Sequence, residues 1–423
     1  MRLDHRILVS CLLLAGISPA FAQQTAVPDP VVVSQQVPLD EIRRYVTVFN
    51  AVRAAYVEPV ADAQLMQSAI RGLLLELDPH SSYLDAEQAQ LFEEQSRGAY
   101  EGIGVEVQTL KDKVLRVIAP IDGSPAALAG IQPGDLIIAV EGKPMAAITD
   151  PEPLRGPAGS SVTLSVRREG QSKPLEIVVQ RQTIRLSSVR SRMLEPGYGY
   201  IRISTFQADT ATDFAQHARA LAAQAESQPL HGLVLDLRSN PGGLLTAAVQ
   251  VADELLEQGT IVSTRGRLSS SDSQFEATPG QLLENTAVMV LVDAGSASAS
   301  EVLAAALADN QRAKVIGSRT FGKGSVQSVL PLDNGDSIKL TTARYYTPSG
   351  RSIQAVGIAP DIVLKPEGEP IAAGEYREAG LAGHLLGEEE LAQAQSGDFL
   401  PGDEPVQQAL AALKSSVPGT DGE

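Results

Sequence analysis

The stretch HGLVLDLRSNPGGLLTAAVQVADELLEQG, residues 231–259, contains a strand pattern, a glycine turn and a helix pattern in direct succession. Its apolar start predicts a buried strand, and the Asn-Pro-Gly-Gly at 240–243 is typical of a tight turn. The apolar spacing that follows predicts a helix ending at Gly259. Because strand and helix patterns keep alternating over 196–364, we predict an α/β layer with a mainly parallel sheet.

The N-terminus has the pattern of an export signal. A basic start and an apolar run over 7–17 are followed by the small-x-small sequence Ala20-Phe21-Ala22. This pattern predicts a secretory signal peptide that is cleaved after Ala22, and a periplasmic mature protein. A lipoprotein signal at 8–11 is the alternative. It is disfavoured because the long apolar run follows that segment and does not precede it.

Composition excludes several classes of function. Cleavage would remove the only cysteine of the 423 residues, which excludes disulfides, thiol catalysis and cysteine-ligated metals. The net charge of −17 argues against binding to nucleic acid. No second apolar stretch approaches 18 residues, so no transmembrane helix is expected in the mature chain. We expect no cofactor and no metal.

The segment over 97–182 differs in texture, with short strands divided by turns. YEGIGVEV (100–107) and SPAALAGIQPGDLIIAVEGKPM (124–145) together resemble a PDZ domain. In that family, backbone N–H groups of a glycine-containing loop bind a peptide's terminal carboxylate, and the peptide adds as a strand. The resemblance assigns this role to four consecutive residues: Gly102, Ile103, Gly104 and Val105.

One feature departs from the PDZ pattern. Pro151 and Pro153 break any long helix where the second helix of a PDZ domain is expected, and that helix walls the peptide groove. The groove is therefore expected to be short. The alternative is a PDZ fold that docks on the remaining chain without gripping a peptide.

A serine lies at a second strand-to-helix turn, in DAGSASASEVLAAALADN (293–310). Small residues allow another backbone to approach, and a helix start offers free N–H groups to an oxyanion. The alternative is helix capping, because Ser298-x-x-Glu301 fits a capping box. The glycine turn at 240–243 could donate a second N–H to the same oxyanion, or it could be an ordinary turn.

A glycine-flanked lysine lies in TFGKGSVQ, residues 320–327. Lys323 can act as a general base if burial lowers its pKa from about 10.4 towards roughly 7–8. Gln327, four positions along a predicted strand, can orient the amine with its neutral carbonyl. A phosphate-binding loop is disfavoured, because Gly324 stands where serine or threonine is required. A Ser–His hydrolase is disfavoured because no histidine, His231 included, lies in a recognisable motif.

These segments match one family in order. GSASASE, TFGKGSVQ, DLRSNPGG and TTARYYTPSGRSIQAVGIAPDI, preceded by the PDZ pattern, resemble the carboxyl-terminal processing proteases, also called tail-specific proteases, over residues 40–363. The resemblance implies a catalytic pair of Ser298 and Lys323 with a supporting Gln327. It implies an oxyanion hole formed by the N–H groups of Gly243 and Ala299. One minor departure is Ser239, where the family commonly has asparagine.

The resemblance also carries expectations about fold and partners. It implies a crotonase-like α/β core with an inserted PDZ domain and helical N- and C-terminal segments. Such enzymes cut exported proteins of the cell envelope near their C-termini, several assemble into homo-oligomers, and some work with a lipoprotein adaptor. The alternative is a PDZ scaffold whose protease-like domain is inactive, which the intact Ser298, Lys323 and Gln327 disfavour.

The predicted organisation has six segments. They are a signal peptide (1–22), a linker (23–38), an N-terminal helical segment that contains a turn at 78–84 (39–96), the PDZ domain (97–182), the catalytic core (183–364) and an acidic C-terminal segment with a helix near 406–416 (365–423). The apolar face of the helix at 40–57 is expected to pair protomers, and packing on the chain's own catalytic domain is the alternative.

Overall fold

The computed structural model describes residues 38–149, 152–225, 230–366, 376–388 and 396–416. The predicted signal peptide and linker lie outside these residues, apart from Pro38. The helices of the described residues are Leu39–Ala55 (α1), Asp62–Leu75 (α2), Ala86–Arg97 (α3), Pro125–Leu128 (α4), Thr210–Gln224 (α5), Leu245–Asp253 (α6), Ala299–Asp309 (α7) and Glu404–Ser416 (α8). None of them is both long and apolar enough to cross a membrane.

The same residues form strands in four sheets. The strands are Ser82–Leu84 (β1), Ala99–Gly102 (β2), Val105–Thr109 (β3), Leu115–Pro120 (β4), Leu136–Val140 (β5), Lys143–Pro144 (β6), Ser161–Arg167 (β7), Leu175–Gln180 (β8), Gln182–Arg185 (β9), Val189–Glu195 (β10), Tyr198–Ile203 (β11), Gly232–Asp236 (β12), Thr260–Gly266 (β13), Ser273–Glu276 (β14), Ala287–Val292 (β15), Ala313–Gly317 (β16), Ser325–Pro331 (β17), Ser337–Tyr346 (β18) and Ile362–Val363 (β19). The predicted mixed α/β fold is confirmed.

The chain divides into two compact units, residues 1–66 and 67–423. In the first unit, α1 and the start of α2 are linked by a hydrogen bond of 2.9 Å from the Tyr45 hydroxyl to Met66 Sδ. Helix α1 has no buried residue. Several of its apolar side chains are therefore exposed, including Tyr45, Val46 and Val52.

The larger unit is built around a six-stranded sheet in the order β10-β11-β12-β15-β16-β19, in which β11 to β19 run parallel. Alternate residues of a strand face opposite sides, so Leu233 and Leu235 join the core with α5, α6 and α7. Val234 points to the other face and packs with Leu410 and Leu413 of α8. A helix from the C-terminal segment thus covers the second face of the sheet.

Helix α6 ends earlier than its sequence pattern predicts, at Asp253 instead of near Gly259. The carbonyls that follow bond to distant partners. Leu282 donates its N–H to the Glu254 carbonyl, and the Arg312 side chain donates to the Leu255 carbonyl. Tertiary hydrogen bonds therefore replace the last helical turn, although Leu255 and Leu256 remain buried.

A second sheet is antiparallel and has the order β1-β18-β13-β14, with β17 also paired to β18. Strand β1 corrects the predicted turn at 78–84, because residues 82–84 pair with β18 at Ser82–Lys339. Three residues cannot signal a strand locally, and pairing with a distant partner creates it. A reciprocal capping box between Asp85 and Gln88 then starts α3.

The PDZ-like segment has its own sheet, β3-β4-β5-β7-β8 with β6 on β5, and its own apolar core. Strands β2 and β9, at its entry and exit, pair with each other, as expected for an insertion. No helix forms over residues 152–160, which belong to the segment where a PDZ domain has its groove helix. Pro151 lies outside the described residues. Among the strands that the structure describes, β3 pairs only with β4, which leaves one edge of this sheet open.

Candidate active site

Ser298 lies between strand β15 and helix α7, at the turn that the sequence singled out. Its backbone has φ 56° and ψ −115°. A positive φ is uncommon for a residue with a side chain, and surrounding contacts must hold it. The residue is 5% exposed and lines a cleft. A fixed, nearly buried hydroxyl at a helix start fits the geometry expected of a nucleophile.

The carboxylate of Glu301 supplies the contacts that hold Ser298. One oxygen, Oε2, accepts the backbone N–H of Ser298 at 2.7 Å and that of Lys323 at 2.9 Å. The other oxygen accepts the Gly322 N–H at 2.7 Å and the Thr320 hydroxyl. A single carboxylate oxygen therefore binds the backbone N–H groups of both Ser298, the predicted nucleophile, and Lys323, the predicted base.

Burial raises the pKa of Glu301 to about 7, and the four donated hydrogen bonds oppose that rise. A carboxylate accepts four such bonds fully only when it is ionised. The capping box, which was the alternative interpretation of the Ser298 turn, is present, and its Glu301 carboxylate also contacts the segment of the predicted base. Ser298 is the N-cap of helix α7, where the Glu301 carboxylate accepts its backbone N–H, and the same carboxylate also accepts the Lys323 N–H.

Lys323 is half-buried in the extended segment before β17. Burial lowers the pKa of Lys323, and the ammonium of Lys339 lowers it further. The carboxylates of Glu378, Glu301 and Asp78 act in the opposite direction. The predicted depression of the lysine pKa thus has the expected direction and cause.

The glycines beside Lys323 allow close contact between backbones. A Cβ on Gly324 would lie 2.3 Å from the backbone nitrogen of Gln354, and one on Gly322 would lie 3.1 Å from that of Gly357. Side chains at these two positions would push the lysine segment away from the 354–357 backbone. The glycines therefore bring the segment against protein, which excludes water from one side of it.

Gln327 lies on β17, directly opposite Thr341 of β18. Its side-chain nitrogen donates to the hydroxyls of Ser325 at 3.0 Å and Thr341 at 3.2 Å. One cleft of about 360 Å³ contains this glutamine together with the other chemically active side chains. The polar or charged residues of its lining include Ser298, Lys323, Gln327, Lys339 and Tyr345.

The glycine turn at 240–243 lies against the start of α7, because a Cβ on Gly242 would lie 3.0 Å from the Ala299 nitrogen. Gly243 has φ 136° and lines the cleft, and a Cβ there would lie 2.2 Å from the Phe206 carbonyl oxygen. Within the described part of the chain, neither the Gly243 N–H nor the Ala299 N–H donates a hydrogen bond. Both donors are thus available to an oxyanion.

Sequence reasoning missed two cleft residues, Lys339 and Tyr345. Both belong to strand β18, whose pairing with β17 shifts register between Thr341 and Ala343, so simple alternation does not relate their faces. Burial raises the pKa of Tyr345, and a hydrogen bond with Ser298 opposes that rise. This register shift interrupts period-two alternation along IKLTTARYY, so no local pattern signals that both side chains line the cleft.

The histidines of the described residues do not line the cleft that contains Ser298. His231, the named alternative base, donates its N–H to the Gly197 carbonyl, and its ring lies 5.9 Å from that of Tyr198. His217 contacts Ser191, and His80 contacts Glu378. These contacts favour a structural role for His231.

The candidate peptide site of the PDZ-like segment is a separate groove beside the open edge of β3. Ile103, Gly104 and Val105 line it, together with Val107. Gly102 is not part of this lining, because it belongs to β2 and pairs with Gln182. Three of the four residues proposed for carboxylate binding are therefore adjacent to a groove.

Three family models match the sequence. Peptidase family S41 matches residues 197–364, a PDZ domain matches residues 116–168, and the activating protease CtpB N-terminal domain matches residues 20–88. A carboxy-terminal-processing protease of Bartonella bacilliformis is 42% identical over 373 residues, covering 86% of this chain and 85% of that protein. A carboxyl-terminal-processing protease of Synechocystis is 38% identical over 323 residues, covering 74% of each.

Among solved structures, the photosystem II D1 C-terminal processing protease is similar at 30% identity. Its TM-score is 0.44, and the match covers 78% of this chain and 94% of that one. The family assignment follows from the sequence matches, which extend over most of the chain. The chain belongs to peptidase family S41 and is a carboxy-terminal processing serine protease with a PDZ domain.

Proposed function

We propose that this protease acts in the periplasm, with Ser298 as nucleophile and Lys323 as general base, and cleaves cell-envelope proteins near their C-termini. The observation that carries the catalytic part is the Glu301 oxygen shared by the two backbone N–H groups. Export rests on the signal-like sequence of residues 1–22. Cleavage near the C-terminus rests on the relatives named carboxy-terminal processing proteases.

In the proposed reaction, the proton that Ser298 loses passes through Lys323 to the leaving amine. The neutral amine of Lys323 takes the proton of Ser298 as Oγ attacks the peptide carbonyl. The N–H groups of Gly243 and Ala299 stabilise the oxyanion, and each such donor contributes about 10²–10³ in rate in known cases. The Lys323 ammonium then protonates the leaving amine. Water hydrolyses the acyl-enzyme with the lysine again acting as base.

The dyad gives a first test. Ser298→Ala, Lys323→Ala and Lys323→Arg should each abolish peptide hydrolysis, because a guanidinium does not lose its proton in this range. Activity of the unchanged enzyme should rise with pH through the lowered pKa of Lys323, since only the neutral amine accepts a proton. Hydrolysis rates across pH, together with labelling by a fluorophosphonate, measure both effects. Lys314→Arg, on the exposed side of β16, is the matched control. An active Lys323→Arg enzyme would rule out the lysine base.

The Glu301 carboxylate gives a second test. Glu301→Gln places an amide nitrogen, which only donates, against backbone N–H groups that also donate. We expect kcat to fall by about 100-fold or more, since a misplacement of about 1 Å can have that effect. Glu404→Gln, which changes an exposed acid in the first turn of α8, is the control. A Glu301→Gln enzyme with normal kcat and a normal melting temperature would contradict the proposed role.

We infer that the PDZ domain recognises the free C-terminus of a substrate. The open edge of β3 can accept a peptide strand, and the groove beside it contains Gly104. A substrate peptide with a free carboxylate should be cleaved at least about fivefold faster than its C-terminal amide, within the usual range of coupling between sites. Val107→Glu, which adds a negative charge to the groove, should remove this difference. Val178→Glu, at an exposed position of β8, should preserve it. Equal rates for acid and amide would exclude recognition of the carboxylate.

We also propose that α1 pairs two copies of the chain. Tyr45, Phe49 and Val52 share one helical face, and Tyr45 and Val52 are exposed on it. Phe49→Asp together with Val52→Asp should halve the mass measured by light scattering if the enzyme is a dimer. Thr47→Asp, on the opposite face of the helix, should leave the mass unchanged. An unchanged oligomer in the double variant would exclude this face as the interface.

A further inference from the structure

The side-chain amide of Gln327 has two different ends, and only one of them can assist a lysine base. The carbonyl oxygen can accept a hydrogen bond from the Lys323 amine, whereas the NH₂ group can only donate. An amide turned the wrong way would present a donor to a donor. Some neighbouring group must therefore decide which end faces Lys323.

Both hydrogens of the Gln327 side-chain amide form hydrogen bonds with groups other than Lys323. They are donated to the hydroxyls of Ser325 at 3.0 Å and Thr341 at 3.2 Å. Within the described residues, the amide oxygen has no such partner in the protein. That oxygen belongs to a side chain that lines the same cleft as Ser298 and Lys323.

A threonine hydroxyl could in principle either donate to the amide oxygen or accept from the amide nitrogen. Asp78 removes this choice. The Thr341 hydroxyl donates its single proton to Asp78 Oδ1 at 3.1 Å, so towards Gln327 it can only accept. The amide must then direct its nitrogen at Thr341, which leaves its oxygen for the lysine.

Asp78 is itself held firmly, in the segment between α2 and β1. It is 4% exposed and accepts the N–H groups of His80 at 2.8 Å and Ser81 at 2.9 Å. The Ser81 hydroxyl donates to its second oxygen at 2.7 Å. Burial raises the pKa of Asp78, but these hydrogen bonds outweigh burial and hold it below its usual value. The carboxylate therefore stays ionised and remains an acceptor at neutral pH.

We propose that Asp78 is a positioning residue that acts through Thr341 to turn the amide oxygen of Gln327 towards Lys323. The inference rests on the proposed Ser298–Lys323 chemistry. It assigns a role in the site to a residue that lies far upstream of the matched peptidase segment, 263 positions before Thr341. It also accounts for the pairing of β1 with β18, which brings the 78–84 segment beside Thr341.

The relay separates a negative charge from the base. A carboxylate in direct contact with Lys323 would stabilise the ammonium and hinder loss of its proton. Acting through two neutral side chains, Asp78 orients the base with a weaker effect on its charge. The Asp78 charge still raises the pKa of Lys323. Glu378 and Glu301 raise this pKa as well, whereas Lys339 lowers it.

The test compares kcat and KM of purified full-length variants on one peptide. Asp78→Asn and Thr341→Val should each lower kcat by about tenfold, equivalent to about 1.4 kcal/mol of barrier, and leave KM unchanged. Neither residue lines the cleft. Thr342→Val is the matched control, because that hydroxyl bonds Ser328 at 2.7 Å. It should keep normal kcat.

Double variants decide whether the relay passes through the glutamine. Asp78→Asn or Thr341→Val added to Gln327→Ala should be no slower than Gln327→Ala alone, because the amide they orient is absent. Multiplying losses would overturn the inference. The pH profile gives a second readout. Asp78→Asn should move the acid limb of kcat to lower pH, since a charge that raises the lysine pKa is removed, whereas Thr341→Val should leave its midpoint nearly in place.

The lysine base and the relay can be tested separately. An active Lys323→Arg enzyme would remove the lysine base and the inference with it. A Gln327→Ala enzyme that is impaired as expected, with losses that multiply, would overturn only the relay. If Asp78→Asn does not fold, Thr341→Val preserves the carboxylate and the double variant with Gln327→Ala remains decisive.

Discussion

The site depends on a buried carboxylate, that of Glu301. Burying a charge is unfavourable by several kcal/mol unless hydrogen bonds replace the lost water. Here four donors from two chain segments do so, at the start of α7 and in the 320–323 segment. Because the donors meet on one side chain, the segment that carries Ser298 cannot move independently of the segment that carries Lys323.

The arrangement also requires the absence of side chains. Gly242 and Gly243 lie against α7 and the Phe206 backbone, and Gly324 lies against Gln354, at distances that no Cβ could occupy. Glycine loses more conformational entropy on folding than any other residue, so each of these glycines lowers the free energy of unfolding. The close contacts that result fix the relative positions of three loops around one cleft of the peptidase. Catalysis requires such fixed positions of the reacting groups.

Two sheets contribute different parts of the chemistry. Strands β12 and β15 are neighbours in the parallel sheet, so the turns that follow them meet at the same edge. These turns carry Gly243 and Ser298. The antiparallel hairpin of β17 and β18 carries Gln327 and Thr341, and β1 adds the segment that contains Asp78. Strand register therefore contributes to the alignment of the proposed oxyanion site, the proposed nucleophile and the proposed support of the base.

The sequence by itself determined the parallel α/β core, the inserted PDZ domain and the family, because local periodicity and short motifs carry that information. It also singled out Ser298, Lys323 and Gln327, whose roles remain predictions. Only the tertiary structure decided where α6 ends, that residues 82–84 form a strand, and that Glu301 holds Lys323 as well as capping α7. The same holds for the link from Asp78 through Thr341 to Gln327. These features depend on contacts between residues from 22 to more than 250 positions apart, and no local pattern encodes such a contact.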